Sequence, residues 1–286
     1  MAGGGDDDHT VYCYDPSQDK WTSLPLLPVK YFGLGQVNGK LVAVGGTIKS
    51  DDKGMKPGYN EISNEVYRYD ERSQQWKLTT PSMPTARHSP GVLSLQSALV
   101  VAGGYTLSDK FANAVEIFKP DTSQWCRTDP LPIDCCDVSL AAIGNTCYML
   151  GGYKAPQNLN QAFHASADDL LCNAVPSNQI THGDNQSAWK TLPKTPAYRP
   201  AAAVLGGSLI AVGGYSTEIS REGVDKKEIY KYSPSTNSWI YISDLPVSRS
   251  DISVNALSST EIVVIGGKFD GDRVKNVYKG TLHLLQ

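Results

Sequence analysis

The chain has 286 residues, 40% hydrophobic and 19% charged, a composition typical of a globular protein and not of a disordered or fibrous one. Its 26 basic and 29 acidic residues are interspersed and give a formal net charge of −3, so no basic stripe is available for nucleic acid. No apolar run reaches the roughly 18 residues of a membrane span. We therefore expect a cytoplasmic protein that contacts neither nucleic acid nor membrane.

The N-terminal sequence and the cysteines are consistent with the expected cytoplasmic location. The first residues, MAGGGDDDH, lack the cationic and apolar regions of a signal peptide. The six cysteines form no CxxC motif, and the adjacent Cys135 and Cys136 cannot easily bridge to each other. We interpret all six as reduced thiols, and the sequon at Asn185 as a chance occurrence.

An apolar run that ends in a Gly-Gly pair occurs five times in chain order. The runs are LVAVGG, LVVAGG, CYMLGG, LIAVGG and IVVIGG, and they end at Gly46, Gly104, Gly152, Gly214 and Gly267. Two residues without Cβ permit positive φ and a close approach of neighbouring chain at the end of a strand. The spacing of 48 to 62 residues indicates an internal repeat.

The tryptophans follow the same period. All five, Trp21, Trp76, Trp125, Trp189 and Trp239, lie 24 to 27 residues before the next Gly-Gly pair. Four of them have an aromatic residue seven positions earlier: Tyr14, Tyr69, Phe118 and Tyr232. Each such segment is typical of two strands joined by a turn rich in Asp, Pro, Ser and Asn.

These patterns predict an all-β fold of four-stranded units of about 50 residues, with no helical periodicity. Because one such unit has no core of its own, the units are expected to pack radially as the blades of a propeller. We expect one domain over 1–286 with repeats at about 1–28, 29–84, 85–133, 134–195, 196–246 and 247–286. The segment 167–187 interrupts the fourth repeat, where His182 replaces the aromatic residue, and it is interpreted as a polar surface loop.

The first and last repeats are incomplete, which leaves two ways of closing the propeller. In the favoured one, six positions are kept and the first blade lacks its inner strands; the AGGG at 2–5 is the remnant of one of them. In the alternative, five blades form, the last two strands before Gly267 join residues 10–23, and residues 277–285 are surplus.

The chain resembles the kelch-repeat family. The resemblance is carried by the Gly-Gly pairs, by the aromatic residue seven before Trp, and by Met83-Pro84 with Arg87 and Leu245-Pro246 with Arg249. It covers nearly the whole chain and implies a kelch β-propeller that acts as a protein-binding module or adaptor, without cofactor. No BTB or F-box sequence, which kelch adaptors usually carry, occurs within the 286 residues.

The sequence shows no catalytic or metal-binding motif, but its resemblance leaves two enzymatic alternatives open. The five histidines have no partner at metal-ligand spacing, and no P-loop, GxSxG or helix-opening GxGxxG is present. A galactose-oxidase-like copper site would need a tyrosine cross-linked to a cysteine and two histidines; Tyr12, Cys13 and Tyr14 are consecutive and His9 is nearby, but a second histidine is not evident. A sialic-acid-mutarotase-like site would hold a carboxylate with Arg87, Arg199 and Arg249. A structural role for these three turn arginines is favoured over a carboxylate-binding one.

The inter-blade turns and the loops after Gly-Gly converge in a propeller, so their residues are the candidate binding surface. Aromatic residues and arginines are typical interface anchors. The candidates are Tyr31, Arg87, His88, Asp134, Tyr198, Arg199 and Arg249 in the turns, and Tyr105, Tyr153 and Tyr215 after Gly-Gly. The turns also contain Lys30, Phe32, Asp137 and Asp251, and Lys268 follows the last Gly-Gly. The expected ligand is a protein or an acidic peptide.

Overall fold

The computed structural model describes residues 9–48, 61–106, 110–172, 175–176, 187–218 and 224–282. Internal contacts divide the chain into two compact units, Met1–Cys136 with Leu170–Ser187 and Asp137–Asp169 with Ala188–Gln286. The first unit contains an N-terminal hairpin and two blades, and the second contains three blades. The AGGG segment, His182 and His283 lie outside the described residues.

The first unit begins with a hairpin of β1 (Tyr12–Asp15) and β2 (Lys20–Ser23). Blade 1 has the order β3-β4-β7-β8, with β3 (Gly33–Val37), β4 (Lys40–Val44), β7 (Val66–Asp70) and β8 (Gln75–Thr79). Its Gly-Gly loop carries the ribbon of β5 (Thr47–Ile48) and β6 (Glu61–Ile62). Blade 2 contains β9 (Gly91–Leu95), β10 (Ala98–Ala102), β13 (Val115–Lys119) and β14 (Gln124–Thr128), with the ribbon β11 (Tyr105–Thr106) and β12 (Lys110–Phe111).

The second unit repeats the pattern with two further four-stranded blades and a three-stranded one. Blade 3 contains β15 (Ser139–Ile143), β16 (Thr146–Leu150), β19 (Ala162–Ser166) and β21 (Lys190–Leu192), with the ribbon β17 (Tyr153–Lys154) and β18 (Gln157–Asn158). Blade 4 contains β22 (Ala201–Leu205), β23 (Ser208–Val212), β24 (Glu228–Ser233) and β25 (Ser238–Asp244). Blade 5 contains β26 (Ser253–Ala256), β27 (Glu261–Ile265) and β30 (Val277–Thr281), with the ribbon β28 (Lys268–Phe269) and β29 (Asp272–Arg273).

Part of the interruption in the fourth repeat forms regular secondary structure. A helix, α1 (Ala167–Cys172), follows β19, and β20 (Val175–Pro176) then adds a fifth strand to blade 2 by pairing with β14. The prediction of a polar loop is therefore wrong for residues 167–172, because the ADDLLC segment, with two acidic residues in its first turn, folds as a helix. The third strand of blade 3 is β19, in which His164 pairs with Lys190, so the residue seven before Trp189 is not the counterpart of the other repeats' aromatic residue.

The Gly-Gly pairs have the backbone conformation that the sequence predicts. Gly214 has φ of +101°, and a Cβ built on it would lie 2.4 Å from the carbonyl oxygen of Tyr198 in the neighbouring turn. Gly46 has φ of +106° and would place a Cβ 2.4 Å from the carbonyl oxygen of Lys30. Any side chain at these positions would clash with backbone, which is why the strand can end only in glycine there.

The cores consist of the inner strands and of the tryptophan of each outer strand. β10 is buried along its whole length, and Trp125 packs with Met83, Val44 and Leu99 in the core of the first unit. The predicted aromatic pairs are in contact across β7–β8, β13–β14 and β24–β25, with ring centroids 5.3 to 5.4 Å apart and ring planes tilted by 48° to 55°. The indole of Trp125 donates to the carbonyl of Pro81, 3.1 Å away, and so fixes the turn that leads out of blade 1.

The sheet order confirms an all-β fold of four-stranded antiparallel blades with an incomplete first and last repeat. Five sheets of three or more strands form five blades, and β1 and β2 pair only with each other among the described residues. β30, which the five-blade closure leaves surplus, pairs with β27 over its whole length. The manner of closure itself stays a prediction.

Candidate functional site

The inter-blade turns and the loops after Gly-Gly form one surface within each unit, because they are joined by backbone hydrogen bonds. His88 and Tyr105 exchange two such bonds of 3.0 and 2.9 Å, and Tyr198 and Tyr215 exchange two of 2.9 and 2.8 Å. Lys30 with Thr47 and Ser250 with Lys268 form the same bridge. The two sets of candidate residues therefore lie side by side at the end of each blade.

One turn position has a left-handed backbone in every repeat. It lies two residues before the first strand of each blade, and its occupants are Tyr31, Ser89, Asp137, Arg199 and Asp251, with φ between 48° and 52°. This conformation costs a non-glycine residue roughly 1–2 kcal/mol. Strained conformations that persist at equivalent positions are a reason to examine them for function.

The position two residues earlier in the same turn is buried in every repeat. Its occupants are Val29, Arg87, Cys135, Ala197 and Arg249, none of them more than 4% exposed. Arg87 and Arg249 therefore occupy a core position, whereas Arg199 belongs to the left-handed position that follows. The three arginines that look equivalent in sequence thus fall into two classes.

Arg87 is held by a buried ion pair in the first unit. Its Nη2 lies 2.8 Å from Oε2 of Glu116, both side chains are fully buried, and its Nη1 donates to the carbonyl oxygens of Gly103 and Ala114. Glu116 also accepts from the Thr85 hydroxyl at 2.6 Å. Burial lowers the pKa of Arg87, and the charge of Glu116 opposes that effect. These contacts support the structural interpretation of Arg87 and remove it from the candidate surface.

Arg249 is buried in the second unit with a different set of neighbours. Its Nη2 donates to the hydroxyl of Tyr278 at 3.1 Å, and its guanidinium carbon lies 5.6 Å and 5.5 Å from the ring centroids of Phe269 and Tyr278. It is 3% exposed, so it too is absent from the accessible surface. The prediction that it forms one exposed patch with Arg87 and Arg199 is not supported by this burial.

An ionic cluster occupies the surface of the second unit and consists of Asp137, Arg199, Asp251 and Lys268. Nη2 of Arg199 lies 3.0 Å from Oδ2 of Asp137 and 2.9 Å from Oδ1 of Asp251. The Lys268 ammonium lies 2.9 Å from Oδ2 of Asp251. Three of the four are left-handed residues of successive repeats, so the shared turn conformation brings the charges into contact.

Two tyrosines complete the surroundings of the Arg199 guanidinium. Its carbon lies 5.5 Å from the ring centroid of Tyr153 and 5.7 Å from that of Tyr215, within the range of a cation–π interaction. The Tyr215 hydroxyl donates to Oδ2 of Asp251 at 3.0 Å. Tyr153 is half-buried and Tyr215 is buried, so both rings pack against the cluster instead of projecting from it.

The electrostatics of the ionic cluster favour its charged state. Burial raises the pKa of Asp251, but the charges of Arg199 and Lys268 outweigh burial and hold the pKa below its usual value. Burial lowers the pKa of Lys268, and the carboxylate of Asp251 more than compensates, so that pKa is raised. The side chains of Asp137 and Lys268 are 37% and 35% exposed, against 16% for Arg199, and they form the accessible rim.

An aromatic row occupies the corresponding surface of the first unit and consists of Tyr31, His88, Tyr105 and Phe111. Successive ring centroids lie 6.0, 5.0 and 5.2 Å apart. Tyr31 is 40% exposed, and the other three are half-buried. A row of rings with one exposed end offers contact area at small entropic cost.

Two candidate residues, Tyr198 and Asp134, belong neither to the ionic cluster nor to the aromatic row. Tyr198 contributes the backbone bridge to Tyr215, and Asp134 is half-buried in the turn before Cys135, outside both groups. Sequence reasoning missed Phe111, which no repeat signal marks, and Glu116, whose only signal was a carboxylate inside an apolar strand. Asp137, Asp251 and Lys268 were noted in the loops but not selected; Asp137 and Asp251 share the left-handed turn position with Arg199, whereas Lys268 follows the last Gly-Gly pair.

Among the residues that the structure describes, no group of three or more His, Cys, Asp or Glu side chains is arranged to hold a metal ion. The described helix α1 has six residues, and no helix in that part of the chain is long and apolar enough to cross a membrane.

Comparison with known proteins places this geometry in a family. The model described as the KLHDC2/KLHL20/DRC7 Kelch-repeats domain matches residues 32–267. Kelch-like protein 36 of Rattus norvegicus is 25% identical over 261 residues, 89% of this chain and 39% of the relative. Kelch repeat and BTB domain-containing protein 12 of Homo sapiens is 25% identical over 294 residues, 96% of this chain and 45% of the relative. The chain thus spans about two fifths of the length of these relatives.

The fold also matches a solved structure. The protein titled "Structure of YjhT" has a TM-score of 0.74 and 17% sequence identity, and the match covers 96% of this chain and 89% of that one. This likeness concerns the fold. Together with the family match over most of the chain and the blade order, it confirms the expected architecture, and the chain belongs to the Kelch-repeat domain family.

Proposed function

We propose that this chain is a non-catalytic protein-binding module whose loop surface carries the ionic cluster and the aromatic row. The observation that supports the proposal most directly is the left-handed turn position. It brings Asp137 and Asp251, from the repeats on either side, into contact with Arg199. Binding of a protein or peptide through such residues fits the general role of kelch propellers. A cytoplasmic location stays part of this proposal.

The ligand that we propose is an acidic peptide segment that replaces Asp137 at Arg199. The cluster has two carboxylates and two cations, so its charge is balanced without a ligand. Asp137 is the more exposed of the two carboxylates, at 37% against 23% for Asp251. A peptide carboxylate can therefore compete with Asp137 while Asp251 keeps Arg199 and Lys268 in place.

The test begins with peptides selected from a displayed random library on the wild-type protein. Calorimetry with the selected peptides should show that Arg199→Ala weakens binding by about 1–3 kcal/mol and that Asp137→Asn strengthens it, because the competing carboxylate is gone. Affinity should also fall as salt rises toward about 0.5 M. Arg127→Ala, which removes a half-buried arginine of β14 outside the loop surface, is the control and should leave peptide affinity unchanged.

Two results would contradict the proposal. One is selected peptides that bind Arg199→Ala as tightly as the wild type. The other is interconversion of the anomers of a free sugar acid by the wild-type protein, which would favour the mutarotase-like alternative.

A further inference from the structure

The third strand of blade 3 has a histidine where the other blades have a permanent cation or an apolar side chain. The position is the third of the strand, counted from the residue that pairs with the last residue before Gly-Gly. Its occupants in chain order are Arg68, Ile117, His164, Lys231 and Lys279. Of these side chains, the imidazole is the one that changes its charge between about pH 5 and 8.

His164 lies on the face of blade 3 that packs against blade 4, and it is half-buried there. In the sheet register it is directly opposite Tyr148 of β16 and Lys190 of β21, so the three side chains share that face. Tyr148 packs in one core cluster with Tyr232 and Trp239 of blade 4. The imidazole is therefore held in the wedge between two blades of the second unit, with a lysine as its neighbour on the outer strand.

The groups that face His164 offer no free negative charge among the described residues. The titratable and charged side chains on the two packed faces and at the start of α1 are Tyr148, Asp168, Lys190, Glu228, Tyr230, Tyr232, Tyr241 and Asp244. Each carboxylate in this set has a partner of its own at 2.9 Å or less: Asp168 has Asn145, Glu228 has Lys226, and Asp244 has Lys227. A protonated His164 would therefore meet Lys190, a charge of the same sign, without a counter-charge.

The surroundings of the imidazole favour its neutral form. It forms no hydrogen bond with another residue in the part of the chain that the structure describes. Burial and the charge of Lys190 both lower the pKa of His164. The Tyr148 ring is stacked on the imidazole at an angle of 27°, but the centroids are 6.2 Å apart, at the limit of a cation–π interaction. The ring therefore offers little compensation for a positive charge.

Acid should weaken this part of blade 3. A histidine whose pKa is lower in the folded state binds a proton more readily once its strand is released. The stability that neutral His164 confers is present above about pH 6.5, the ordinary value of the side chain, and is lost as the pH falls below it. The element most exposed to this loss is β21, which has three residues and pairs only with β19 among the described strands.

We propose that His164 is an acid-sensitive switch at the outer edge of blade 3, and that its protonation below about pH 6.5 loosens β21 from β19. β21 ends at Leu192 and leads into the turn that carries Arg199. The switch does not depend on the function proposed for that turn, because it involves only the charge of His164 and the pairing of two strands.

The test is hydrogen exchange of the wild-type protein at about pH 7.5 and about pH 5.0, expressed as protection factors so that the intrinsic effect of pH on exchange is removed. The amides of residues 162–166 and 190–192 should lose about fivefold in protection at the lower pH. The amides of β10 in blade 2 should change by less than about twofold. A titration of the His164 ring by nuclear magnetic resonance should give a pKa below its ordinary value.

Three variants assign the effect to the imidazole and to its neighbour. His164→Gln keeps a neutral polar side chain and should abolish the loss of protection, and Lys190→Gln, which removes the like charge, should reduce it. His9→Gln is the matched control and should retain the full loss, because His9 is also half-buried but lies in the first unit beside the carbonyl oxygen of Leu27. The ratio of protection at the two pH values is compared within each variant, so a general loss of stability cancels.

Three results would overturn the proposal. One is a loss of protection in His164→Gln equal to that of the wild type, which would leave His164 a structural role alone. Another is an equal loss in β10 and β21, which would indicate general acid unfolding. The third is a His164 ring that titrates at or above about pH 6.5, since its protonation would then not oppose folding.

Discussion

At the scale of single residues, the role of an arginine depends on which of two positions it occupies in the inter-blade turn. The two positions are two residues apart; the first is structural and the second belongs to the candidate surface. Arg87 and Arg199 follow equivalent strands in similar sequences, but the first lies in a position that is buried in every repeat and the second in a left-handed position that faces the loops. Burial gives Arg87 one fully buried carboxylate partner, and exposure gives Arg199 two partly exposed ones. The same side chain therefore stabilises the fold in one repeat and contributes to the candidate surface in another.

Arg87→Ala should lower the free energy of unfolding by about 3–5 kcal/mol, because it leaves Glu116 buried without its main counter-charge. Arg127→Ala should cost about 1 kcal/mol or less, because Arg127 is 35% exposed and Glu116 keeps Arg87. Urea denaturation of the two variants measures both values. Equal losses would contradict a structural role specific to Arg87.

At the scale of elements, the blade is organised around the pair of its two outer strands. The aromatic residue of the third strand stacks on the tryptophan of the fourth, and the indole of that tryptophan bonds to a proline carbonyl in the turn from the preceding repeat, as Trp125 to Pro81 and Trp239 to Pro193. Each tryptophan thus couples strand pairing within one blade to the position of a neighbouring turn.

Trp125→Ala should lower the free energy of unfolding by about 3–5 kcal/mol, because Trp125 is 4% exposed and its loss opens a cavity in the core of the first unit. Trp76→Ala is the matched control. Its indole makes the equivalent bond to Pro25, but the side chain is only half-buried, so about 1–2 kcal/mol is expected. A loss below about 1 kcal/mol for Trp125→Ala, measured by urea denaturation, would mean that the blade assignment is wrong.

At the scale of the whole molecule, the blades share one strand order but differ in the strands that pair along their outer edges. Among the described residues, blade 2 has five strands because β20 lies on its outer edge, and blade 5 has three. In repeat architectures each unit is stabilised by its own strands and its neighbours, so local stability follows such differences.

Native-state hydrogen exchange should therefore show β27 of blade 5 to be at least about tenfold less protected than β10 of blade 2. Both are inner strands with buried side chains, which makes them a matched pair. Equal protection of the two strands would indicate that the number of covering strands does not limit local opening.

The sequence by itself determined the repeat, the strand content and the family. Gly-Gly, the tryptophans and their aromatic partners are local signals, since each reports a backbone conformation or a cross-strand contact within about 30 residues, and the structure places Gly214, Phe118 and Trp125 as expected. It also marked the turns and post-Gly loops as one region, because blade topology alone brings them together.

Only the tertiary structure decided which turn residues are accessible and where incomplete pairing occurs. Whether Arg87 or Arg199 is buried depends on the backbone conformation of the turn and on a carboxylate, Glu116, that lies 29 residues away in the next blade. The strand β20 escaped prediction because its pairing partner, β14, is some 50 residues distant in the chain. Long-range contacts of this kind follow from the packing of whole blades, and no periodicity in the sequence encodes them.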